Sequence, residues 1–168
     1  ALVTGEVMKL CKSYRSTCEI TDFAQRIRAN TDLEPVARHG EKPRVLRYNN
    51  EKEELSSIKE LIATYQASTY KSLGIVCKTE SQAREMADKL QIPDIHFLSN
   101  QSTAFVQGIV ITSAHIAKGL EFDEVIIPQV DDKNYHSEID RSMLYVAVTR
   151  AMHRLTLTYS RNKTPLFD

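Results

Sequence analysis

Three short stretches of the chain hold the residue types that bind phosphate groups and nucleotides. The longest is Ile111-Thr112-Ser113-Ala114-His115-Ile116-Ala117-Lys118-Gly119-Leu120-Glu121-Phe122, in which an apolar run gives way to a polar segment and then to a new apolar run. Such junctions at strand ends are where α/β proteins place binding groups. The second is Tyr145-Val146-Ala147-Val148-Thr149-Arg150-Ala151, with an arginine late in an otherwise apolar helix, and the third is Ser13-Tyr14-Arg15-Ser16, with an arginine at a strand-to-helix turn. A guanidinium stays charged and presents its N–H groups as a planar fork that matches phosphate oxygens. Each residue also has an ordinary reading. Arg150 near a helix C-terminus is favoured there by the dipole, His115 alone reads as an exposed or core-edge histidine, and Glu121 as a surface acid at a strand start.

A phosphate-cradling loop of the form GxxxxGK[ST] is absent, and so is GxGxxG; Lys118-Gly119 stands in the reverse order. Asp131 and Asp132 follow the apolar run Val125–Val130 and superficially resemble magnesium ligands, but without a phosphate loop a turn explains them better. The chain by itself is therefore expected not to turn over ATP. Lys+Arg and Asp+Glu both number 22, which lacks the basic excess of many free-standing DNA binders. The distribution is uneven, however. Lys9 to Arg47 contains nine basic residues against five acids, an excess that either lines a phosphate-facing surface or merely solubilises the protein.

The elements that must position these residues read as alternating strands and helices. Val7–Leu10 suits a short strand, and Ser16 with Glu19 three residues on is a capping-box signal. It opens a helix bearing Ile20, Phe23, Ala24 and Ile27 that stops near Asn30. Thr31–Pro43 reads as a loop, and Val45–Tyr48 as a strand. Asn50 caps a helix with Leu55, Ile58, Leu61, Ile62 and Tyr65 on one side, followed by a buried strand at Leu73–Cys77 and a helix capped by Thr79. Further strands are expected at Ile95–Leu98, Gly108–Thr112, Glu124–Val130 and Leu155–Tyr159, with a last helix over Glu138–Met152. This alternation predicts a three-layer α/β fold with a mostly parallel sheet.

Its 168 residues fit a single domain, 1–168, able to bury a core without disulfides or metal. Residues 1–30 are the stretch that could sit partly outside that core. The chain opens without a methionine and is expected to be part of a larger protein. Cys11, Cys18 and Cys77 form no CxxC, which points to a reducing, cytoplasmic compartment and no structural metal, with Cys77 a small buried hydrophobe. No apolar run approaches a membrane span and no signal peptide opens the chain.

Taken in order, the blocks resemble the second RecA-like motor domain (2A) of UvrD/Rep-type superfamily 1 helicases, the HelD-like branch above all. Ser13–Ser16 looks like that family's motif IV, residues 49–62 like motif IVa, 111–122 like motif V and 138–151 like motif VI. The resemblance implies that Arg15 and Arg150 act as arginine fingers on ATP with Mg2+, bound mainly by an N-terminal RecA-like domain of the same parent chain. Glu121 would contact the ribose, Gly119 would let the backbone approach the nucleotide, and Lys118 would support the nucleotide or a strand phosphate. Ser113 and His115 would face single-stranded DNA, and Tyr14 and Tyr145 would pack the arginine-bearing elements. The parent would then be an ATP-dependent DNA helicase. Alternatives are a HelD-like ATPase that acts on RNA polymerase, or a degenerate binding module. Ser13 departs from the usual asparagine, Ser113 from the usual threonine, and Ile139-Asp140-Arg141-Ser142 from the usual pair of acids and pair of arginines. The short interval between motifs IVa and V leaves no space for a large 2B insertion.

Overall fold

The computed structural model describes residues 16–29, 38–99 and 107–168. Helix α1 spans Cys18–Ile27; Ile20, Phe23, Ala24 and Ile27 recur three and four apart on one face, and all are buried. Residues 18–27 are thus core rather than appendage. The cap is Thr17, whose side chain accepts from the Ile20 N–H, and not Ser16. Ser16 Oγ instead donates to the Ala151 carbonyl at 2.7 Å, so a long-range partner draws off one of two adjacent hydroxyls. The helix stops three residues before Asn30 because Arg28 turns to an extended conformation at φ −149°.

Strand β1 (Arg44–Arg47) leads to α2 (Glu51–Gln66), capped by Asn50, whose side chain accepts from Glu53 N while Glu53 Oε2 accepts from Asn49 N. All six residues of β2 (Ser72–Cys77) are buried, as a strand covered on both faces requires. Helix α3 (Glu80–Leu90) opens on a reciprocal capping box between Thr79 and Gln82. Then come β3 (Ile95–Phe97), β4 (Gly108–Ser113), a one-turn helix α4 (Ala114–Ala117), β5 (Phe122–Ile127), α5 (Glu138–Val148), β6 (Ala151–Tyr159) and a 3-10 turn at Pro165–Phe167.

The six strands form one sheet in the order β1-β6-β5-β2-β4-β3, every neighbouring pair parallel. Residues of β2 alternate between its faces. Val76 joins Val110, Phe122 and Leu155 against α1, α4 and α5, whereas Leu73, Ile75 and Cys77 join Ile111 and Ile126 against α2 and α3. The result is the expected three-layer α/β architecture. Burial pushes the Cys77 thiol up to about 12, so it packs as a neutral apolar group.

Three further elements, β5, α5 and β6, have boundaries that differ from the sequence-based expectation by two or more residues. Strand β5 begins at Phe122 and ends at Ile127, because Pro128 follows and Gln129 adopts φ 59°. Helix α5 ends at Val148 rather than Met152, and β6 begins at Ala151 rather than Leu155. Pairing of Ala151 with Phe122 captures the chain as soon as the helix is capped at Thr149. Arg150 therefore lies in the turn between helix and strand.

One close approach constrains the sheet. A Cβ built on Gly74 would lie 2.5 Å from the Phe122 ring, on the face covered by α1, α4 and α5. Gly74→Val should therefore destabilise the chain by about 1–3 kcal/mol, read as a lower urea midpoint. An unchanged midpoint would show that the Phe122 ring moves aside freely.

Candidate nucleotide and nucleic-acid interface

Residues 111–122 run from one edge of the sheet to the other. Ser113 ends β4 level with Cys77 at the carboxyl edge of β2, while Phe122 pairs with Ala151 at the amino edge of β6. At about 3.3 Å per strand residue, the two ends of this segment lie roughly 15–20 Å apart. The expected strand-facing residues (Ser113, His115) and nucleotide-facing residues (Gly119, Glu121) thus divide between opposite edges, joined by α4.

At the carboxyl edge, Ser113 is buried and serves as the cap of α4, its hydroxyl accepting from Ile116 N at 3.4 Å. His115 is exposed two residues further on. Lys118, also exposed, is the C-cap of α4. Gly119 follows at φ 90° with open space around its missing Cβ. Its conformation alone demands glycine, independently of any approach to a ligand. Leu120 N then bonds the Ala117 carbonyl and turns the chain toward β5.

At the amino edge, the half-buried Arg150 is held by its surroundings. Its Nε donates to the Val146 carbonyl at 3.1 Å, Nη1 to the Leu120 carbonyl at 3.2 Å and Nη2 to Thr149 Oγ1 at 3.3 Å. The Arg150 carbonyl in turn accepts from Phe122 N at 2.9 Å. Burial lowers the pKa of its guanidinium, opposed by the nearby Glu121 carboxylate. One side chain thus ties the end of the 111–122 segment to the last turn of α5, where the dipole also favours a cation. Tyr145, half-buried, packs against the core beneath α5.

Arg15 and Tyr14 lie outside the described residues. Their neighbour Ser16 is described, and its bond to the Ala151 carbonyl sets the chain at residue 16 beside the residue that follows Arg150. Of the basic residues of the N-terminal third that are described, Arg26, Arg28, Lys42, Arg44 and Arg47 are exposed and Arg38 is half-buried, and four of them also bond oxygens of the domain itself. Arg26 donates to the Phe167 carbonyl, Arg28 to Ser142 Oγ, Arg38 to the Met152 carbonyl and Arg44 to Thr156 Oγ1. Arg141 likewise donates to the carbonyls of Ile27 and Leu166, bracing α5 against α1 and the C-terminal turn.

The sheet also has a crevice of its own at the carboxyl edge. There β2 leads to α3 on one face and the neighbouring β5 leads to α5 on the other, the kind of switch point where doubly wound sheets bind ligands. Here it is bridged by protein groups. Lys78 Nζ meets Asp140 Oδ1 at 2.8 Å, and Gln82 Nε2 donates to Asn134 Oδ1 at 2.8 Å. Asp131 Oδ1 accepts from the Lys133 and Asn134 backbone N–H groups, which makes it a turn residue. An adjoining cavity of about 290 Å³ is lined by Glu51, Glu85, Lys89 and Arg161, among others, and these acids are already paired: Glu85 with Lys89 at 2.8 Å, Glu51 with Arg161 at 3.2 Å.

Asp140, placed by sequence only within the last motif although Ser137-x-x-Asp140 is a capping-box spacing, is one of the most connected side chains of this edge. Besides Lys78, its carboxylate accepts from the His136 and Ser137 backbone N–H groups. Burial would raise its pKa, but the Lys78 ammonium and these N–H donors outweigh that and hold it well below the usual carboxylate range. Among the described residues, no cluster of His, Cys, Asp or Glu could hold a metal ion, and no helix is long and apolar enough to cross a membrane.

The domain is a parallel α/β sheet whose switch point is bridged by its own side chains, with a braced arginine at the opposite edge. The chain belongs to the family of UvrD-like helicase C-terminal domains: residues 8–107 match one profile of that description and residues 108–158 a second. It is similar to DNA helicase II of Escherichia coli (strain K12) and of Salmonella typhimurium (strain LT2), 33% identical to each over 73 residues. That stretch is 38% of this chain but 10% of each relative, so the chain spans about a tenth of their length. Among solved structures it resembles the C-terminal domain of a possible DNA helicase from Lactobacillus plantarum WCFS1. The TM-score is 0.76 at 29% identity, covering 92% of both chains, consistent with a RecA-like fold.

Proposed function

We propose that this chain is the 2A motor domain of an ATP-dependent superfamily 1 DNA helicase. In this reading it closes on an N-terminal RecA-like domain of the same parent when ATP with Mg2+ binds there. The observation that carries the proposal is the braced arginine at the amino edge, beside Glu121 and one residue from the anchor point of Ser16. A half-buried guanidinium fixed by three acceptors suits a charge that must meet a developing phosphoryl transition state without reorganising. ATP supplies the phosphoryl group; Arg150, with Arg15, stabilises its charge, and Glu121 orients the ribose.

His115 and the carboxyl end of α4 would contact the single strand at the other edge. A buried Ser113 hydroxyl then acts by fixing α4 and leaves direct contact to His115 and exposed backbone; Lys118 stands exposed between the two sites. Opening and closing of the cleft would thereby be linked to the strand through α4. The HelD-like branch, supported by the short interval between motifs IVa and V, and action on RNA polymerase are subsidiary readings.

The test uses the parent protein. ATP hydrolysis should be stimulated by single-stranded DNA, and His115→Ala should weaken strand binding while leaving hydrolysis without DNA unchanged. Equal strand affinity for the variant and the wild type would remove His115 from the interface. Absence of any DNA-stimulated hydrolysis in the wild-type parent would overturn the helicase reading.

A further inference from the structure

Arg150 offers five N–H groups. Three are directed at the Val146 carbonyl, the Leu120 carbonyl and Thr149 Oγ1. These contacts fix the plane of the guanidinium and leave one N–H on each terminal nitrogen for a ligand. Two of the three acceptors are backbone groups, present whatever side chain stands there. The third is a side chain, and it is itself held in place: Thr149 Oγ1 lies 3.0 Å from both the Tyr145 and Val146 carbonyls, between which its single O–H is shared. Donating backward into the last turn of α5 leaves its lone pairs turned toward Arg150. Thr149 is also the C-cap of the helix, so its position is fixed by the element and not by a mobile loop.

We infer that Thr149 is a positioning residue for Arg150, whose hydroxyl sets the direction in which the guanidinium meets the phosphate. The inference rests on the proposed finger role of Arg150 and adds to it a residue that touches neither nucleotide nor strand. Because the finger acts on charge that develops in the transition state, misaiming it should lower kcat and leave KM for ATP little changed.

The parent protein with Thr149→Val keeps the β-branched shape and loses only the hydroxyl. Its kcat for DNA-stimulated ATP hydrolysis should fall about tenfold, the equivalent of one modest charge-assisted hydrogen bond. Thr149→Ser should restore most of the rate. In an Arg150→Ala background, Thr149→Val should cost nothing further, since no guanidinium is left to aim. If the valine variant does not fold, Thr149→Ala against Thr149→Ser gives the same comparison. A wild-type kcat for the valine variant, or an equal further loss in the Arg150→Ala background, would overturn the role of Thr149 while the finger reading stands. A wild-type kcat for Arg150→Ala alone would instead remove the finger reading itself.

Discussion

Arg150→Ala in the parent protein is expected to lower ATP turnover by roughly three to five orders of magnitude, the range an arginine finger contributes in phosphoryl transfer. KM for ATP should change far less, because the guanidinium is asked to act on charge that develops during transfer. Arg150→Lys should not rescue. A lysine keeps the charge but is a point donor on a flexible stem, and cannot engage Val146, Leu120 and Thr149 together while still presenting a fork. Arg150 also has a structural share, since it joins the 111–122 segment to α5. Its loss should cost the isolated chain about 1–3 kcal/mol of stability, as expected for hydrogen bonds to a charged group. The two effects separate cleanly: stability is read by denaturant unfolding of this chain, turnover by the parent. A variant parent with near wild-type turnover would leave Arg150 only the structural share.

The largest stability effect should fall at the opposite edge, on Asp140. Removing its carboxylate in Asp140→Ala leaves the largely buried Lys78 ammonium without its partner and strips acceptors from two backbone N–H groups. A loss of about 3 kcal/mol follows, or roughly 6–12 °C in Tm for a chain of this size. Asp140→Asn retains a polar side chain but no charge, and should lose part of this. The pH dependence has a definite sign. A carboxylate whose folded pKa is depressed contributes stability that is present above its unfolded value, about 3.9, and is lost as pH falls toward the folded value. The stability gap between wild type and Asp140→Asn should therefore be full near neutrality and shrink below about pH 4. A gap independent of pH from 7 to 2 would show that the charge of the carboxylate contributes nothing to stability.

The sequence was most legible where local signals acted alone. Asn50 and Thr79 cap their helices through their own neighbours, and the continuous burial of β2 follows from its unbroken apolar run. It was less legible where two local solutions were equally good and a distant partner chose between them. Ser16 and Thr17 are both competent caps, and the Ala151 carbonyl decides. The apolar spacing from Tyr145 through Met152 continues a helix as readily as it begins a strand, and pairing with Phe122 decides. Arg150 was marked as a site residue by its motif, but its three acceptors lie in two segments that only the fold brings together. The Lys78–Asp140 pair and the Gly74–Phe122 contact join positions far apart in the chain, and no spacing rule announces them. The partners of Arg26, Arg28, Arg38 and Arg44, carbonyl and hydroxyl oxygens of the domain itself, were likewise not legible in the count of basic residues.

The most direct measurement is the structure of the parent protein trapped with ADP, aluminium fluoride and Mg2+. An N–H of Arg150 should lie within hydrogen-bond distance, about 3 Å, of a fluoride that mimics the transferring phosphoryl group, with Glu121 on the ribose side of the same cleft. An Arg150 still turned wholly onto its own domain, with the amino edge of the sheet facing away from the nucleotide, would contradict the account.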